Sequence, residues 1–194
     1  MSTSTPADHF QKLYAKTSDP WNLSSSAYEV AKYAATLEAL PPRRFGQAIE
    51  VGCSIGTLTE KLAERCDDLL GVDYVEAPLV GARLRCSHFP SVRFQRMTIP
   101  QEWPPGALDL IVLSEVLYFL SVDDLYRLAD QCAESLAPSG LILLVNWRGA
   151  NDGTMPGDVA AITFMEALPA HLRSSNVVLK EKYRIDLVED PHPI

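Results

Sequence analysis

The 194-residue chain lacks any stretch near the roughly 18 consecutive apolar residues that a membrane helix requires, which argues against membrane insertion. The polar segment Met1–Asp8 has no apolar centre of the kind a secretory signal carries. Cysteine is scarce and unpaired in pattern: Cys53, Cys66, Cys86 and Cys132 form no C-x-x-C pair and stand at irregular gaps, so neither a zinc site nor a disulfide framework is expected. Cys66 and Cys132 sit among apolar positions read as helical, as buried thiols do. A reduced, cytoplasmic setting and no metal follow as expectations. Positive charge is also in deficit, with 17 Lys and Arg against 25 Asp and Glu and a net charge of −8. Such a surface repels a phosphate backbone, which argues against nucleic acid as the main partner. The local exception, Arg83 to Arg96 with four arginines and His88, reads as a solvated helix face and strand end. There is no internal repeat and no low-complexity segment.

What is present is a core-forming composition, 47% hydrophobic, at a length suited to one domain. Short apolar runs alternate with amphipathic stretches. Ala48–Val51, Leu69–Val72, Val92–Phe94, Leu108–Ser114 and Leu141–Val145 read as strands. Thr57–Cys66, Ala77–Cys86 and a helix capped by Asp123 and running to Leu136 lie between them, and Pro138-Ser139-Gly140 ends the last. Continuous apolar strands separated by helices imply a parallel sheet, buried on both faces, with right-handed crossovers. The expected organisation is one domain over 1–194. A helical cap spans 1–40 around Asp19-Pro20-Trp21, and a ligand-binding core spans 46–148. A loop, a helix near Val159–Leu168 and closing strands at Val177–Tyr183 and Ile185–Val188 fill 149–194. After Val188 only 189–194 remain, so either the last strands are short or the chain is cut short.

The informative segment is Ile49-Glu50-Val51-Gly52-Cys53-Ser54-Ile55-Gly56-Thr57. A strand leads in and a helix leads out. Gly52 permits a tight turn and close ligand approach, Gly56 lets the helix start near the sheet, and the free N–H groups at its start favour electron-rich ligand atoms. Asp73 follows Gly52 by 21 residues, at the end of the second strand, where a carboxylate can accept from both hydroxyls of a ribose. The turn alone is also what an ordinary strand–helix corner looks like; the turn together with Asp73 points to a nucleoside. A dinucleotide site prefers G-x-G-x-x-G, because a pyrophosphate must lie against the helix start. Here Ser54 replaces the middle glycine and Thr57 the last. Glu50 would repel a pyrophosphate but suits an ammonium. The pattern therefore favours S-adenosylmethionine over NAD.

These residues, with the run Asp109 to Leu120, resemble class I methyltransferases. Asp19-Pro20-Trp21, Tyr28-Glu29 with Lys32, and Ser114-Glu115-Val116-Leu117-Tyr118 resemble the nodulation N-methyltransferase (NodS-like) family over roughly residues 10–150. The resemblance implies a Rossmann-like α/β fold with helices on both faces of a seven-stranded, mostly parallel sheet whose last strand is antiparallel, and an N-terminal helical lid. It also implies methylation of the free amine of the non-reducing glucosamine in a chitooligosaccharide. One departure stands out: where many class I enzymes place an acid for the adenine amine, this chain has Arg96-Met97-Thr98-Ile99, leaving Thr98 or backbone groups to serve.

The expected cofactor contacts are Glu50, Gly52, Cys53, Ser54, Gly56, Asp73, Tyr74, Met97, Thr98, Ile99, Ser114 and Glu115, with Trp21 and Tyr28 from the lid. Methyl transfer from a sulfonium is an in-line displacement that needs chiefly positioning, plus an acceptor for a proton if the nucleophile is an amine. Glu115, just past the strand that ends at Ser114, is the candidate acceptor, with Tyr118 beside it; a bond to the cofactor or to a helix start is its alternative role. Trp147, Arg148, Tyr118 and Asp158 are candidates for the substrate side. Trp147 and Arg148 could equally cap the sheet edge, and Trp21 could simply pack. The partner expected is a small molecule or oligosaccharide, and the chain is expected as a monomer or weak dimer. A methyltransferase for another acceptor, a non-catalytic S-adenosylmethionine binder and an NAD-dependent oxidoreductase are the alternatives; the missing middle glycine and the lack of a Ser/Tyr/Lys cluster speak against the last. Titration should show binding of S-adenosylhomocysteine and none of NADH; the reverse outcome would sink the cofactor assignment.

Overall fold

The computed structural model describes residues 3–191; Met1, Ser2 and 192–194, assigned above to the cap and the closing segment, lie outside the described residues. Seven strands form one sheet in the order β3-β2-β1-β4-β5-β7-β6. Strands β1 (Phe45–Val51), β2 (Cys66–Asp73), β3 (Val92–Arg96), β4 (Leu108–Ser114) and β5 (Leu136–Trp147) run parallel, whereas β7 (Tyr183–Glu189) is antiparallel to both β5 and β6 (Arg173–Leu179). Helices α1 (Ala7–Lys16) and α2 (Ala27–Ala39) precede the sheet; α3 (Thr57–Ala63), α4 (Glu76–Arg85), α5 (Val122–Ser135) and α6 (Gly157–Ala167) connect strands. The α/β class read from the alternating pattern is the fold observed, and so is the seven-stranded Rossmann-like sheet with an antiparallel last strand that the family resemblance implies.

The two-residue period of a strand sorts the core into two layers. Ile49, Val51, Ile111, Leu113, Ile142 and Leu144 point to the side covered by α5 and α6. Ala48, Leu110, Val112, Leu141 and Leu143 point to the other, with Leu58 and Leu62 of α3 and Tyr33 of α2. Every residue from Leu110 to Leu113 is fully buried. Burying one such aliphatic side chain contributes about 1.5–3 kcal/mol, so β4 and β5 anchor the sheet.

Several boundaries differ from the sequence reading. Helix α3 stops at Ala63, not Cys66, because Cys66 already pairs with Phe45 at the start of β2; its thiol is buried as expected, but in a strand. The cap of α5 is Ser121, whose hydroxyl accepts from the Asp124 N–H at 3.2 Å, and Asp123 lies exposed in the first turn. The Pro138-Ser139-Gly140 turn sits inside β5 as an excursion. Leu136 pairs with Leu108 and Leu141 with Leu110, with Ser139 at φ 63° between them. The closing hairpin is shifted: β6 ends at Leu179, so the expected strand Val177–Tyr183 contains the hairpin turn. The arginine-rich stretch is solvated and paired at the surface, Arg83 with Glu76 and Arg93 with Asp68.

Only between β1 and β4 do the connections leave in opposite directions across the sheet. That switch point opens a crevice at the carboxyl ends of the strands, and the residues after Val51 and Ser114 lie there. The corrected cap has a direct test. Ser121→Ala is expected to lower the unfolding free energy in urea by about 1 kcal/mol, whereas Asp123→Ala should cost at most about 0.5 kcal/mol.

Candidate active site

A cleft of about 580 Å³ occupies the switch point, within the range of small-molecule sites. Its walls come from the turn after β1, the ends of β2 and β4, the segment after β3, and the N-terminal helices.

Gly52 (φ 75°) and Ser54 (φ 50°) make the turn. A Cβ on Gly52 would stand 2.2 Å from Val116 Cγ1, so the segment after β4 presses on the turn too closely for any side chain there. Gly56 starts α3 at φ 77°, and an added Cβ would meet Ala82 of α4 at 3.0 Å. Its role is the approach of two helices, and it does not line the cleft. Asp73 fixes the turn from outside: its carboxylate accepts from the Ser54 and Val75 N–H groups, each at 2.9 Å. Burial pushes this carboxyl up to about 6 against those donors. Each oxygen retains acceptor capacity towards the cleft.

Glu50 is more extreme. It is buried, and the one hydrogen bond its carboxylate makes is from the Thr59 hydroxyl at 2.5 Å. Burial, opposed by that bond and reinforced by Asp73, raises it to about 8. No cation faces it among the described residues, so the carboxyl is arranged to meet one from the cleft.

Glu115 stands at φ 59° at the end of β4. Lys32 Nζ donates to its Oε1 at 2.6 Å, and the Tyr118 hydroxyl and the Trp147 N–H donate to its Oε2 at 3.0 and 2.8 Å. Lys32 donates also to Glu29 Oε1 at 3.0 Å. Burial lowers the Lys32 pKa, but the facing carboxylates Glu115 and Glu29 outweigh it and the net shift is upward. Burial raises the Tyr118 phenol, and Glu115 adds to the shift.

The cleft thus brings together Glu50, Gly52, Cys53, Ser54, Asp73, Tyr74, Met97, Thr98, Ile99, Ser114, Glu115, Tyr118, Trp21, Tyr28 and Trp147. Trp21 packs edge-on to Tyr14, and Tyr28 edge-on to Trp147. Arg148 and Asp158 do not line it. They pair with each other at 2.9 Å, Arg148 also donates to the Lys180 carbonyl, and Arg184 approaches Asp158. These charges tie the end of β5 to α6 and β7, so the expected substrate-side role does not fit their placement. Sequence reasoning missed Tyr14, whose hydroxyl shares a 2.5 Å bond with Ser54 Oγ, and Asp124, which lines the cleft from α5 beside Gln101. Asp124 was hidden because its first-turn position reads only as helix start. Among the described residues no group of three or more His, Cys, Asp or Glu is placed to hold a metal.

The strand order with β7 inserted antiparallel, together with a cleft at the β1/β4 switch point, is the class I methyltransferase fold. The solved N-methyltransferase NodS from Bradyrhizobium japonicum WM9, in complex with S-adenosyl-L-homocysteine, superposes with a TM-score of 0.82. It is 22% identical, over 96% of this chain and 98% of that one. The family model of nodulation protein S (NodS) matches residues 6–149, and the chain belongs to that family. Nodulation protein S of Bradyrhizobium diazoefficiens is 34% identical over 67% of this chain, and that of Sinorhizobium fredii 34% over 69%. The matches cover 63% and 62% of those two proteins, so the chain spans less than two thirds of the curated relatives it matches. No helix among the described residues is long and apolar enough to cross a membrane.

The buried Glu50 carboxyl sets an opposition between stability and ligand binding. Its folded-state pKa of about 8 lies above the ordinary 4.5. Deprotonation therefore destabilises the ligand-free fold progressively as pH rises from about 4.5 to about 8. Glu50→Gln is expected to raise the melting temperature of the ligand-free protein at pH 8, by the equivalent of about 1–3 kcal/mol, and to weaken S-adenosylhomocysteine binding. A variant less stable than the wild type at pH 8 would refute this.

Proposed function

We propose that the chain transfers a methyl group from S-adenosylmethionine to a small-molecule amine, with the free amine of the non-reducing glucosamine of a deacetylated chitooligosaccharide as the candidate acceptor. One observation carries the reading: a single cleft at the switch point joins the turn bearing Glu50 and Asp73 to the carboxylate of Glu115. Family membership supports it, as does the N-methyltransferase activity named for the structural neighbour.

The residues fit the cofactor. Glu50 offers an uncompensated carboxyl to the ammonium of the methionine part. The turn after β1, without a side chain at Gly52, admits close approach of the backbone to its carboxylate. Asp73 holds the ribose hydroxyls. Asp124, with Gln101 beside Met97, Thr98 and Ile99, supplies for adenine the carboxylate that the stretch Arg96–Ile99 lacks. Bound there, the sulfonium supplies an electrophilic methyl carbon for in-line displacement.

The protein's own work is positioning and drying. Trp21, Tyr14 and Phe10 cover one side of the cleft, Phe10 packing edge-on against Phe119 and Tyr74. Glu115 presents its carboxylate to the acceptor nitrogen, and Tyr118 and the Trp147 backbone hold that carboxylate in place. Trp147 and Tyr28 form an aromatic corner suited to an apolar sugar face.

Labelled S-adenosylmethionine incubated with deacetylated and fully acetylated chitooligosaccharides tests the acceptor. Label is expected in the deacetylated oligomer alone. Equal label in both would exclude a free-amine requirement, and label in neither would exclude this acceptor. Asp73→Ala is expected to weaken S-adenosylhomocysteine binding by about 1–3 kcal/mol, read by calorimetry; unchanged affinity would remove Asp73 from the ribose site.

A further inference from the structure

The acceptor end of the cleft holds an arrangement that positioning alone does not require. Ser26 caps helix α2, which begins Ala27-Tyr28-Glu29, and its hydroxyl accepts from the Glu29 N–H at 3.4 Å. In that spacing the glutamate ordinarily turns back to accept from the cap residue's own N–H. Here the Ser26 N–H is already donated to the Asn22 carbonyl at 3.0 Å. Glu29, released from capping, points inward and is 8% exposed. Its Oε1 accepts from Lys32, while its Oε2 is buried and makes no hydrogen bond. The Tyr33 phenol faces this carboxyl but is not in hydrogen-bonding geometry with Oε2. A buried carboxylate oxygen without a donor is costly, and a proton on Oε1 would relieve it by removing the charge that the two oxygens share. Glu115, by contrast, takes three donors and keeps one acceptor site on Oε1, through which it can meet an ammonium N–H from the cleft.

We propose that Glu115, Lys32 and Glu29 form a proton relay that carries the acceptor's ammonium proton from the cleft to the buried carboxylate of Glu29. This rests on the amine-methylation reading above. The links are 2.6 Å from Lys32 Nζ to Glu115 Oε1 and 3.0 Å from Lys32 Nζ to Glu29 Oε1. Lys32 is 3% exposed, and the Glu115 side chain keeps 23% of its surface open towards the cleft. The transfer balances. An N–H bond of the acceptor ammonium breaks and its proton passes to Glu115. Glu115 passes a proton to Lys32 as Lys32 gives one of its own to Glu29. Glu115 and Lys32 end as they began, Glu29 has gained an O–H bond, and the acceptor nitrogen has its lone pair. After product leaves, the reverse route returns the proton to water in the emptied cleft. Lys32 and Glu29 act through Glu115 and are positioning residues; of the three, only Glu115 touches the acceptor.

The other titratable groups facing the relay are Tyr28 and Tyr33 on α2, Tyr118 after β4, Asp152 after β5, and Tyr183 with Lys182 at the start of β7. Lys32 lies 5.2 Å from the Tyr28 ring centre, a contact that favours its charged state between transfers.

The test is the pH dependence of kcat for the full chain, with labelled S-adenosylmethionine and a deacetylated chitooligosaccharide. Glu29→Gln keeps the size and an acceptor for Lys32 but cannot take the proton. Its kcat is expected to fall at least about 10-fold at pH 6.5 and to return to within about threefold of wild type at pH 9.5, where the amine is already neutral. Lys32→Arg keeps the charge, but a guanidinium stays protonated and cannot relay; the same pH-dependent loss is expected, whereas a structural role for Lys32 would be rescued. Glu29→Asp, which restores an acid, should recover activity at pH 6.5. S-adenosylhomocysteine affinity within about threefold of wild type reports an intact fold. If one variant fails that control, the profile of the other decides. A wild-type pH profile in Glu29→Gln or Lys32→Arg overturns the relay alone. Wild-type protein that methylates no amine withdraws the activity reading, and the relay with it.

Discussion

One carboxylate holds the acceptor end of this molecule together. Glu115 leaves β4 in the left-handed region at φ 59°, a conformation that costs a non-glycine residue about 1–3 kcal/mol. Its own N–H remains in the sheet, donated to the Val145 carbonyl. That conformation points its side chain to where three segments far apart in sequence can donate to it: Lys32 from α2, Tyr118 from the 3-10 turn at Leu117–Phe119, and the Trp147 N–H at the end of β5. Lys32 has little else to answer its charge. Burying an ammonium without partners costs several kcal/mol, so α2 can lie against the sheet only with Glu115 and Glu29 in place. The N-terminal helices are therefore held over the cleft by charge as well as by apolar contact, and carboxylate and lid determine each other's position.

The same economy runs along the cleft. Glu29, Glu50, Asp73, Glu115, Asp124 and Asp152 line it, and Lys32 is the one cation among the described lining residues. Water would normally solvate so many acids. Here Asp73 is answered by backbone N–H groups, Glu50 by a hydroxyl, Glu29 and Glu115 by one shared ammonium, Asp124 by Arg127 with Ser4 and Gln101, and Asp152 by His9. Burial that is incompletely compensated raises Glu50 to about 8 and Asp73 to about 6. The ligand-free fold thus carries groups whose best partners are positively charged, and the cost falls on stability. A phosphate-binding cleft would carry the opposite lining, with arginines and helix starts converging on an anion.

How much of this was legible in the sequence follows from where each constraint lies along the chain. Strands β4 and β5 were legible because both faces are buried and the runs Leu110–Leu113 and Leu141–Val145 are continuously apolar. The turn at Gly52 and the acid at Asp73 were legible because a tight turn, a close approach and a strand end leave marks at fixed spacing. The end of α3 was not, since Cys66 suits an apolar helix face as well as a strand and only its pairing with Phe45 decides. The cap of α5 went to Asp123 because a carboxylate there is chemically competent; the backbone instead turns at Ser121, φ −71° and ψ 163°. Arg148 looked like a ligand because it follows a strand end, and Asp158 because it reads as an acid in the loop beyond, although it lies in the first turn of α6. Their mutual ion pair depends on how α6 folds back onto β5, a tertiary fact with no local signal. Asp124 and Tyr14 enter the cleft from helices, more than 50 residues from Asp73 in sequence for each of them.

The division of labour in the site follows from these distances. The sheet end is built from short-range pieces, a turn and two strand ends, and it turns two buried carboxyls, Glu50 and Asp73, towards the cleft. The acceptor end is assembled from α2, the segments after β4 and β5, and the hairpin at β7. Those elements meet through Glu115 and Lys32, through the aromatic contacts of Tyr28 with Trp147 and Tyr183, and through backbone bonds from Thr154 N–H to the Tyr118 carbonyl and from Arg148 N–H to the Lys182 carbonyl. Substitutions in α2 can therefore reshape the acceptor end while leaving the β1 turn intact. Substitutions at Gly52 or Asp73 strike a turn that the rest of the cleft is packed against, as the contact between Gly52 and Val116 shows. The two ends of the cleft are thus held differently, the turn after β1 by its close approach to the Val116 side chain, and α2 by the Lys32 ion pairs together with the apolar packing of Tyr33.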